Sequence, residues 1–380
     1  MTPIPARLAS LDAFRGFTIA AMVLVNNPGD WSSLYSQLTH AAWNGWTFTD
    51  LTFPFFLFIG GVSMALSLGR LAAAGADKGT LLGKLAQRAL LIFAVGFALN
   101  LIPHFNFGAV RLPGVLQRIA LCTMLAAPIV VYFSWRAQLV WIASLLTVYS
   151  VLMLWVPVPG IGAGVLEPGR DMGAYIDRLL LDGHLWARVK TWDPEGLLST
   201  IPALCSQLLG VLAGRWLLSN YALAEKTVWM MLAGLLLLWL GSILDVILMP
   251  INKSLWTPSY CLLTSGWALL LFAAFYWFLD ASSHGELRAI AARWCKPFTI
   301  YGMNALFIFA FSGLVAKMLG FIHIAQPDGA PKSLAVLSYA PVRALDLAPV
   351  NTSLLYALLF NAAMFAIAWV MWRKKWFVKV

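Results

Sequence analysis

Ten apolar runs of membrane-spanning length are the feature that most constrains how this chain can fold. A helix needs about 20 apolar residues to cross the hydrocarbon core of a bilayer, where its backbone polar groups must be satisfied within the segment. The pattern predicts an all-α, polytopic bundle of about 10 transmembrane helices, built as a single domain over residues 1–380. The runs are residues 13–29, 51–70, 87–103, 114–133, 138–156, 197–219, 227–249, 258–280, 297–320 and 351–372.

The composition agrees with this fold class. Hydrophobic residues make up 61% of the chain and charged residues only 11%, whereas a soluble domain carries about a quarter charged residues. We therefore exclude an ordinary soluble protein. The net charge of +10 does not indicate nucleic-acid binding, because the lysines and arginines stand in short clusters between the apolar runs.

The basic clusters also predict the orientation. Ten spans place both termini on one side, and the segments on that side hold 16 of the 26 basic residues. Both termini are therefore expected in the cytoplasm. The outer segments are then 30–50, 104–113, 157–196, 250–257 and 321–350. Of these, 30–50 and 157–196 are long enough to form a binding surface, and the second contains a predicted short amphipathic helix.

The first run carries polar residues at both ends. Asp12 and Arg15 share a helix face, so they either pair with each other or leave Arg15 to bind an anion at the cytoplasmic mouth. At the far end, Asn26 and Asn27 precede Pro28, which disfavours helix at Asn27. This end is either an unwound segment that lines a cavity or a plain helix-ending turn.

The segment THAAWNGWTFTDLTFPFF (39–56) is the most informative part of the chain. His40 stands in a Trp- and Asn-rich loop, and Asp50 opens the second run. A loop histidine is usually only solvated, and helix capping alone would explain Asp50. An imidazole beside a carboxylate is, however, the arrangement that acid–base catalysis uses. His40 is therefore our first catalytic candidate.

Other reactive residues give weaker signals. No set of histidines, cysteines or acids has the spacing of a metal site, so no metal is expected. The cysteines stand singly in or beside apolar runs and are expected to pack instead of forming disulfides. Asp245 is an intramembrane carboxylate for which the sequence indicates no partner.

Nine motifs follow one another through the chain. They are LDAFRG (11–16), VLVNNPG (23–29), HAAWNGWTFTDLTFPFFLFIGG (40–61), VRLPGVLQRIA (110–120), AYIDRLLLDGHL (174–185), DPEGLLSTI (193–201), PINKSLWTPSY (250–260), YGMNAL (301–306) and RKKWFVKV (373–380). In these residues the chain resembles the heparan-α-glucosaminide N-acetyltransferase-like family of transmembrane acetyltransferases. The expected form is compact, without the extended lumenal domain of the animal enzyme, which implies a bacterial inner membrane.

The resemblance implies transfer of the acetyl group of cytosolic acetyl-CoA to the amino group of a glucosamine-type sugar on the periplasmic side. It assigns the catalytic histidine to His40, a neighbouring asparagine to Asn26 and a family carboxylate to Asp50. We expect Asn26 to act as an oxyanion-type amide, and Asp50 either to orient His40 or to hold the sugar. His40 either deprotonates the amine or is itself transiently acetylated. Expected contacts to acetyl-CoA are Arg7, Arg15, Lys374 and Asn304. Expected contacts to the sugar are Trp43, Asn44, Asp193, Glu195 and Trp256.

Two other functions stay open at this stage. One is O-acylation of the hydroxyl groups of a polysaccharide by a related membrane acyltransferase. The other is a permease for amino sugars, in which His40 and Asp50 bind a proton or the substrate. Expected partners are the amino sugar and the lipid bilayer, and the resemblance also allows a homodimer.

Overall fold

The computed structural model describes residues 8–73, 75–326 and 329–378, which form an almost entirely helical bundle. Arg7 therefore lies outside the described residues. The helices are α1 (Ala9–Asn26), α2 (Phe48–Ala73), α3 (Lys78–Leu101), α4 (Val115–Tyr132), α5 (Trp135–Leu154), α6 (Met172–Leu181), α7 (Thr200–Leu217), α8 (Leu223–Ile247), α9 (Pro258–Tyr276), α10 (Gly285–Met303), α11 (Ala305–Phe321), α12 (Leu334–Arg343) and α13 (Pro349–Arg373). The strands β1 (His323–Ile324) and β2 (Lys332–Ser333) pair antiparallel before α12.

Helices occupy all ten predicted runs, which confirms the predicted fold class. Eight of the described helices are long and apolar enough to cross a membrane: α1, α2, α3, α4, α5, α8, α9 and α13. α10 and α11 pass the same test only as a pair, which is bent by 72° at Asn304. α7 occupies the run 197–219 but is not among the eight, because Gln207 and Arg215 lower the hydropathy of this short helix. The orientation in the membrane stays a prediction from the basic residues.

Local sequence explains where several helices begin and end. Asp77, Ser134 and Asp171 each accept a backbone N–H at the start of α3, α5 and α6, respectively, which are typical N-cap bonds. α6 is the short amphipathic helix predicted within 157–196. α1 ends at Asn26, two residues before Pro28, as the proline requires.

Two glycines bring α2 and α7 into backbone contact. A Cβ placed on Gly61 of α2 would lie 2.0 Å from the carbonyl oxygen of Gln207. A Cβ on Gly210 of α7 would lie 2.0 Å from that of Phe58. Small residues permit such close approach between membrane helices. α2 is thereby fixed against α7, and α2 carries residues of both sites described below.

The core lies where α1, α2 and α9 meet. Phe14, Phe55 and Phe272 are fully buried there, and the Phe14 ring lies 5.6 Å from that of Phe55 and 6.0 Å from that of Phe272. Aromatic rings at these separations add packing energy to the burial of apolar surface. Phe14 of the LDAFRG motif and Phe55 of the segment TFPFF are thus structural residues.

Candidate active site

His40 and Asp50 are in contact at the start of α2. The Nδ1 atom of His40 lies 2.7 Å from the Oδ1 atom of Asp50. The Asp50 side chain is completely buried, whereas the His40 side chain is 48% exposed. A buried carboxylate thus holds one edge of an exposed imidazole ring. The other ring nitrogen, Nε2, is then available to act as a base or nucleophile.

The two oxygens of Asp50 have separate partners. Oδ2 accepts hydrogen bonds from the backbone N–H groups of Ala41 (3.0 Å) and Thr47 (3.1 Å), and from the Thr47 hydroxyl (3.1 Å). These bonds close the first turn of α2 and fasten the loop that carries His40. Oδ1 faces His40. Capping and orientation of the imidazole, which the sequence left as alternatives for Asp50, therefore occur together.

Lys253 is a third member of this cluster, and the sequence analysis did not single it out. Its Nζ atom lies 2.8 Å from His40 Nδ1 and 3.4 Å from Asp50 Oδ1. Burial lowers the pKa of Lys253, although Asp50 and Glu195 act in the opposite direction. The lysine stands in the motif PINKSLWTPSY, and a basic residue in a short outer segment departs from the positive-inside distribution. That departure is the signal that could have found it.

The segment between α8 and α9 is docked onto the His40 loop. The Gly45 N–H donates to the Ile251 carbonyl at 2.7 Å, and the Asn252 amide donates to Asn44 Oδ1 at 3.1 Å. Asp245 accepts a hydrogen bond from the Ile251 N–H at 2.6 Å, which gives this intramembrane carboxylate its partner. Asn44, a predicted sugar contact, therefore lies in the same loop assembly as His40 and remains exposed.

Asn26 faces a different cavity. With Asn27, Tyr339 and Arg343 it lines a space of about 440 Å³ beyond the end of α1. This supports the interpretation of the helix end as cavity lining. His40 is not among the residues that line this space. The structure therefore does not bring these two predicted catalytic residues to one cavity.

The acidic candidates for sugar binding are paired with Arg111. The Arg111 Nε donates to Asp193 at 2.8 Å, and its Nη2 donates to both Asp193 and Glu195. Burial alone would raise the pKa of Glu195, but Arg111 and Arg118 lower it below its ordinary value. Both carboxylates are thus balanced by guanidinium groups.

The aromatic candidates for sugar binding lie in different surroundings. Trp43 is partly exposed and packs edge-on against Trp192, with ring centroids 5.2 Å apart. Trp256 is only 1% exposed, and its Nε1 donates to the Ser206 hydroxyl at 3.1 Å. Packing covers both faces of its indole. In this conformation Trp256 offers no surface to a sugar.

Arg118 is a buried cation that the sequence analysis also missed. Its guanidinium lies 5.2 Å from the centre of the Trp256 ring and donates to the Gly196 carbonyl and the Ser199 hydroxyl. Its Nε and Nη1 atoms have no hydrogen-bond partner among the described residues. A charged residue at this depth is costly to retain and marks a functional region.

A second cavity has a volume of about 430 Å³ and lies toward the end of α2 that is farther from Asp50. We call it the inner cavity. Arg15 and Arg88 line it, together with Ser63 and Ser67. The Arg15 Nη2 donates to the Ser63 hydroxyl at 2.7 Å, and its Nη1 lies 3.2 Å from Asp12 Oδ1. The sequence left two alternatives for Arg15, a pair with Asp12 or a role in binding an anion. The two are compatible, because Arg15 contacts Asp12 and also lines the cavity.

This inner cavity extends along α2 toward the His40 cluster. Its α2 lining runs from Phe56 to Ser67, about 16 Å along the helix axis at 1.5 Å per residue. Phe56 is about 9 Å from Asp50 on the same scale. Phe53 lies between them on α2, and its ring packs edge-on against that of Trp256 with centroids 5.2 Å apart.

The remaining candidates for acetyl-CoA binding are Asn304, which contacts the C-terminal segment, and Lys374, which lies in it. Asn304 donates to the Trp376 carbonyl at 3.0 Å and accepts from the Val378 N–H at 2.9 Å. Val378 lines the inner cavity, so Asn304 fastens the C-terminal segment there. Lys374 is exposed at the end of α13 and is not among the lining residues.

Within the described residues, no group of three or more histidines, cysteines or acids is placed to hold a metal ion. The four cysteines have free thiols. Three of them are buried, as expected of packing residues: Cys122, Cys205 and Cys261.

Comparison with known proteins agrees with the motifs. Residues 7–167, which include His40 and Asp50, match the family model described as Heparan-alpha-glucosaminide N-acetyltransferase, catalytic. The chain is also 32% identical over 365 residues to the human Heparan-alpha-glucosaminide N-acetyltransferase. It is a homologue of these acetyltransferases. The human match covers 81% of this chain and 53% of the human protein. The mouse Heparan-alpha-glucosaminide N-acetyltransferase is 31% identical over 359 residues, with 80% and 53% covered. The chain thus spans about half the length of either relative.

Proposed function

We propose that this protein moves the acetyl group of acetyl-CoA across a membrane to the amino group of a glucosamine-type sugar. The observation that carries the proposal is the exposed imidazole of His40 held by the buried carboxylate of Asp50. It lies within the segment that matches an N-acetyltransferase catalytic model. The inner cavity, at the other end of α2, supplies the second support.

The inner cavity suits the donor substrate. Arg15 and Arg88 provide two guanidinium groups, which bind phosphate oxygens through paired hydrogen bonds. Ser63 and Ser67 add hydroxyl donors. We infer that the phosphates of acetyl-CoA bind here, with the acyl-bearing arm lying along α2 toward Asp50. Arg7 and Lys374 stay predictions as further phosphate contacts.

The rings of Phe53 and Trp256 lie on the route between donor and His40. Both side chains are buried, and Arg118 packs over the Trp256 ring. In our proposal these rings move aside when the thioester approaches His40. Trp256 is then a residue of the passage and not of the sugar site.

The reaction forms one C–N bond and breaks the C–S bond of the thioester. In direct transfer, the amine attacks the carbonyl carbon, His40 accepts the amine proton, and CoA leaves as a thiolate. In two-step transfer, the imidazole attacks first, CoA leaves, and the amine then takes the acetyl group from His40. Both routes require a neutral ring nitrogen. Acetyl-CoA without sugar distinguishes them, because only the two-step route adds an acetyl mass to the His40 peptide.

Asn26 stays our candidate donor to the thioester oxygen, a role in which an amide N–H stabilises developing negative charge. The role requires the cavity at Asn26 and the His40 cluster to meet in the loaded enzyme. On the sugar side, the exposed Asn44 is the best placed of the predicted contacts, since it lies in the loop assembly of His40.

The purified protein tests the proposal directly. With acetyl-CoA and glucosamine, we expect free CoA thiol and N-acetylglucosamine in equal amounts, measured by a thiol reagent and mass spectrometry. His40→Ala should lower turnover by about 100-fold or more while acetyl-CoA still binds. The matched control is His323→Ala, which alters an exposed histidine on β1. Acetylation only of sugars whose amino group is blocked would contradict N-acetyl transfer and favour O-acylation.

The donor site has its own test. Arg88→Met and Arg15→Met should each weaken acetyl-CoA binding by about 10-fold or more, the usual worth of a charge-assisted hydrogen bond. Isothermal titration of detergent-solubilised protein measures this. Lys84→Met is the control, because Lys84 is an exposed basic residue on the same helix that does not line the cavity. Equal affinities in all variants would remove the inner cavity from the proposal.

A further inference from the structure

The contacts of His40, Asp50 and Lys253 form a triangle of three titratable groups. His40 Nδ1 is 2.7 Å from Asp50 Oδ1 and 2.8 Å from Lys253 Nζ, and the last two atoms are 3.4 Å apart. Lys253 Nζ also lies 3.3 Å from His40 Nε2. The imidazole therefore has a carboxylate and an amine group within hydrogen-bond distance of the same nitrogen.

The chemistry of one ring nitrogen limits how these groups share protons. Nδ1 carries either a proton or a lone pair in the ring plane. With a proton it donates to Asp50, and with a lone pair it accepts from the ammonium of Lys253. A doubly protonated imidazolium would place a second positive charge beside that ammonium, which like-charge repulsion disfavours. Asp50 alone would act in the opposite direction and favour the imidazolium.

We propose that Lys253 is a positioning residue that keeps His40 in its neutral form, so that a ring nitrogen stays free to accept a proton or attack the thioester. The catalytic part of this inference rests on the proposed function. The electrostatic part concerns His40 alone.

The position of Lys253 is built into the fold. Asn252, its chain neighbour, accepts from the Leu255 N–H at 2.9 Å and donates to Asn44 in the His40 loop. The Ile251 carbonyl accepts from Gly45 of the same loop. These bonds hold the backbone next to Lys253 against the His40 loop independently of any contact made by the Lys253 side chain.

Four charged groups determine the electrostatic environment of His40: Lys253 itself, Asp50, Glu195 and Arg118. Asp50 faces both His40 and Lys253 from α2. Glu195, from the segment before α7, favours the charged form of Lys253, and Arg118 of α4 opposes it. The carboxylates of Asp50 and Glu195 thus support the charge on Lys253 against burial, and that charge is the one that acts on His40.

The test compares Lys253→Met, which removes the charge, with Lys253→Arg, which retains it at every accessible pH. Diethyl pyrocarbonate acylates a histidine ring only when the ring is neutral, and His40 is exposed enough to react. The extent of modification of the His40 peptide is measured by mass spectrometry from pH 5 to pH 8, without acetyl-CoA or sugar.

Without the lysine charge, Asp50 is unopposed, so the midpoint of modification in Lys253→Met should rise by about one pH unit. Lys253→Arg should keep the midpoint of the unmodified protein. Lys253→Gln serves as a second neutral variant if the methionine variant does not fold. An unchanged midpoint in the neutral variant would overturn the inference, even if turnover falls.

The same variants separate this inference from the proposed function. If acetyl transfer occurs, the acidic limb of the pH–rate profile should move upward by the same amount in the neutral variant only. A shifted midpoint with no acetyl transfer under any condition would support the role of Lys253 and contradict the acetyltransferase proposal.

Discussion

Asp177 shows, at the scale of single residues, how the outer part of the molecule buries charge. Its Oδ1 accepts a hydrogen bond from the Leu197 N–H at 2.9 Å. Gly196 lies so close that a Cβ there would be 2.0 Å from Asp177 Oδ2. Burial raises the pKa of Asp177 to about 6, and the neighbouring Asp193 adds to the effect. Burial therefore disfavours the charged form of this side chain more than it would for an exposed aspartate.

The raised pKa of Asp177 predicts that its ionisation destabilises the folded protein at higher pH. The pKa of Asp177 is higher in the folded protein than the unfolded value of about 3.9. The protonated side chain therefore contributes its full stability to the fold below about pH 4, and this contribution is lost as the pH rises through 6. Asp177→Asn removes the charge and keeps an acceptor for Leu197. It should therefore raise the free energy of unfolding by at most about 3 kcal/mol at pH 8, and by only about 1 kcal/mol at pH 4.5.

Thermal melting in detergent at the two pH values measures this difference. Asp182→Asn is the control, since Asp182 is exposed at the end of the same helix. A gain of equal size at both pH values would contradict the assignment to ionisation of Asp177.

At the scale of helices, the contact between α2 and α7 decides where the site residues stand. Gly210 lies against the Phe58 carbonyl of α2, with no room for a side chain. We expect Gly210→Ala to separate the helices and lower stability by about 1–3 kcal/mol. Gly313→Ala is the matched control, because a Cβ at Gly313 in α11 would meet nothing within 4 Å. Melting temperatures of the two variants check this. An equal melting temperature for both would mean that α2 and α7 do not depend on this contact.

The helices also show which structural features the sequence alone does not predict. The apolar runs predict each membrane helix, because the bilayer imposes length and hydrophobicity on every span. The run 297–320 predicts one straight helix, whereas the structure breaks it at Asn304 with a bend of 72°. Asn304 bonds to Trp376 and Val378, more than 70 positions further along the chain. No periodicity within the run reports such a bond.

At the scale of the whole molecule, some contacts of the site are local in sequence and others depend on tertiary packing. His40 lies in the loop before α2 and Asp50, ten residues later, in the first turn of α2, so their contact follows from local sequence. Lys253 is 213 positions from His40, and its place depends on how the bundle packs. The burial of Trp256 likewise depends on tertiary packing.

The arrangement of the two sites fits the proposed transfer across a bilayer. The basic inner cavity and the His40 cluster lie toward opposite ends of α2, with Asp50 and Ser63 about 20 Å apart along the helix axis. In our proposal, a donor bound by Arg15 and Arg88 and an acceptor at His40 are on different sides of most of the apolar core. The proposed reaction therefore needs no movement of the sugar through the bundle.

Sealed vesicles of defined orientation test this central claim most directly. Acetyl-CoA is enclosed on the side of the termini, and labelled glucosamine is added only on the other side. We predict N-acetylglucosamine on the sugar side and free CoA retained with the donor, with no product from His40→Ala. Product that forms only when both substrates are on the same side would contradict the account.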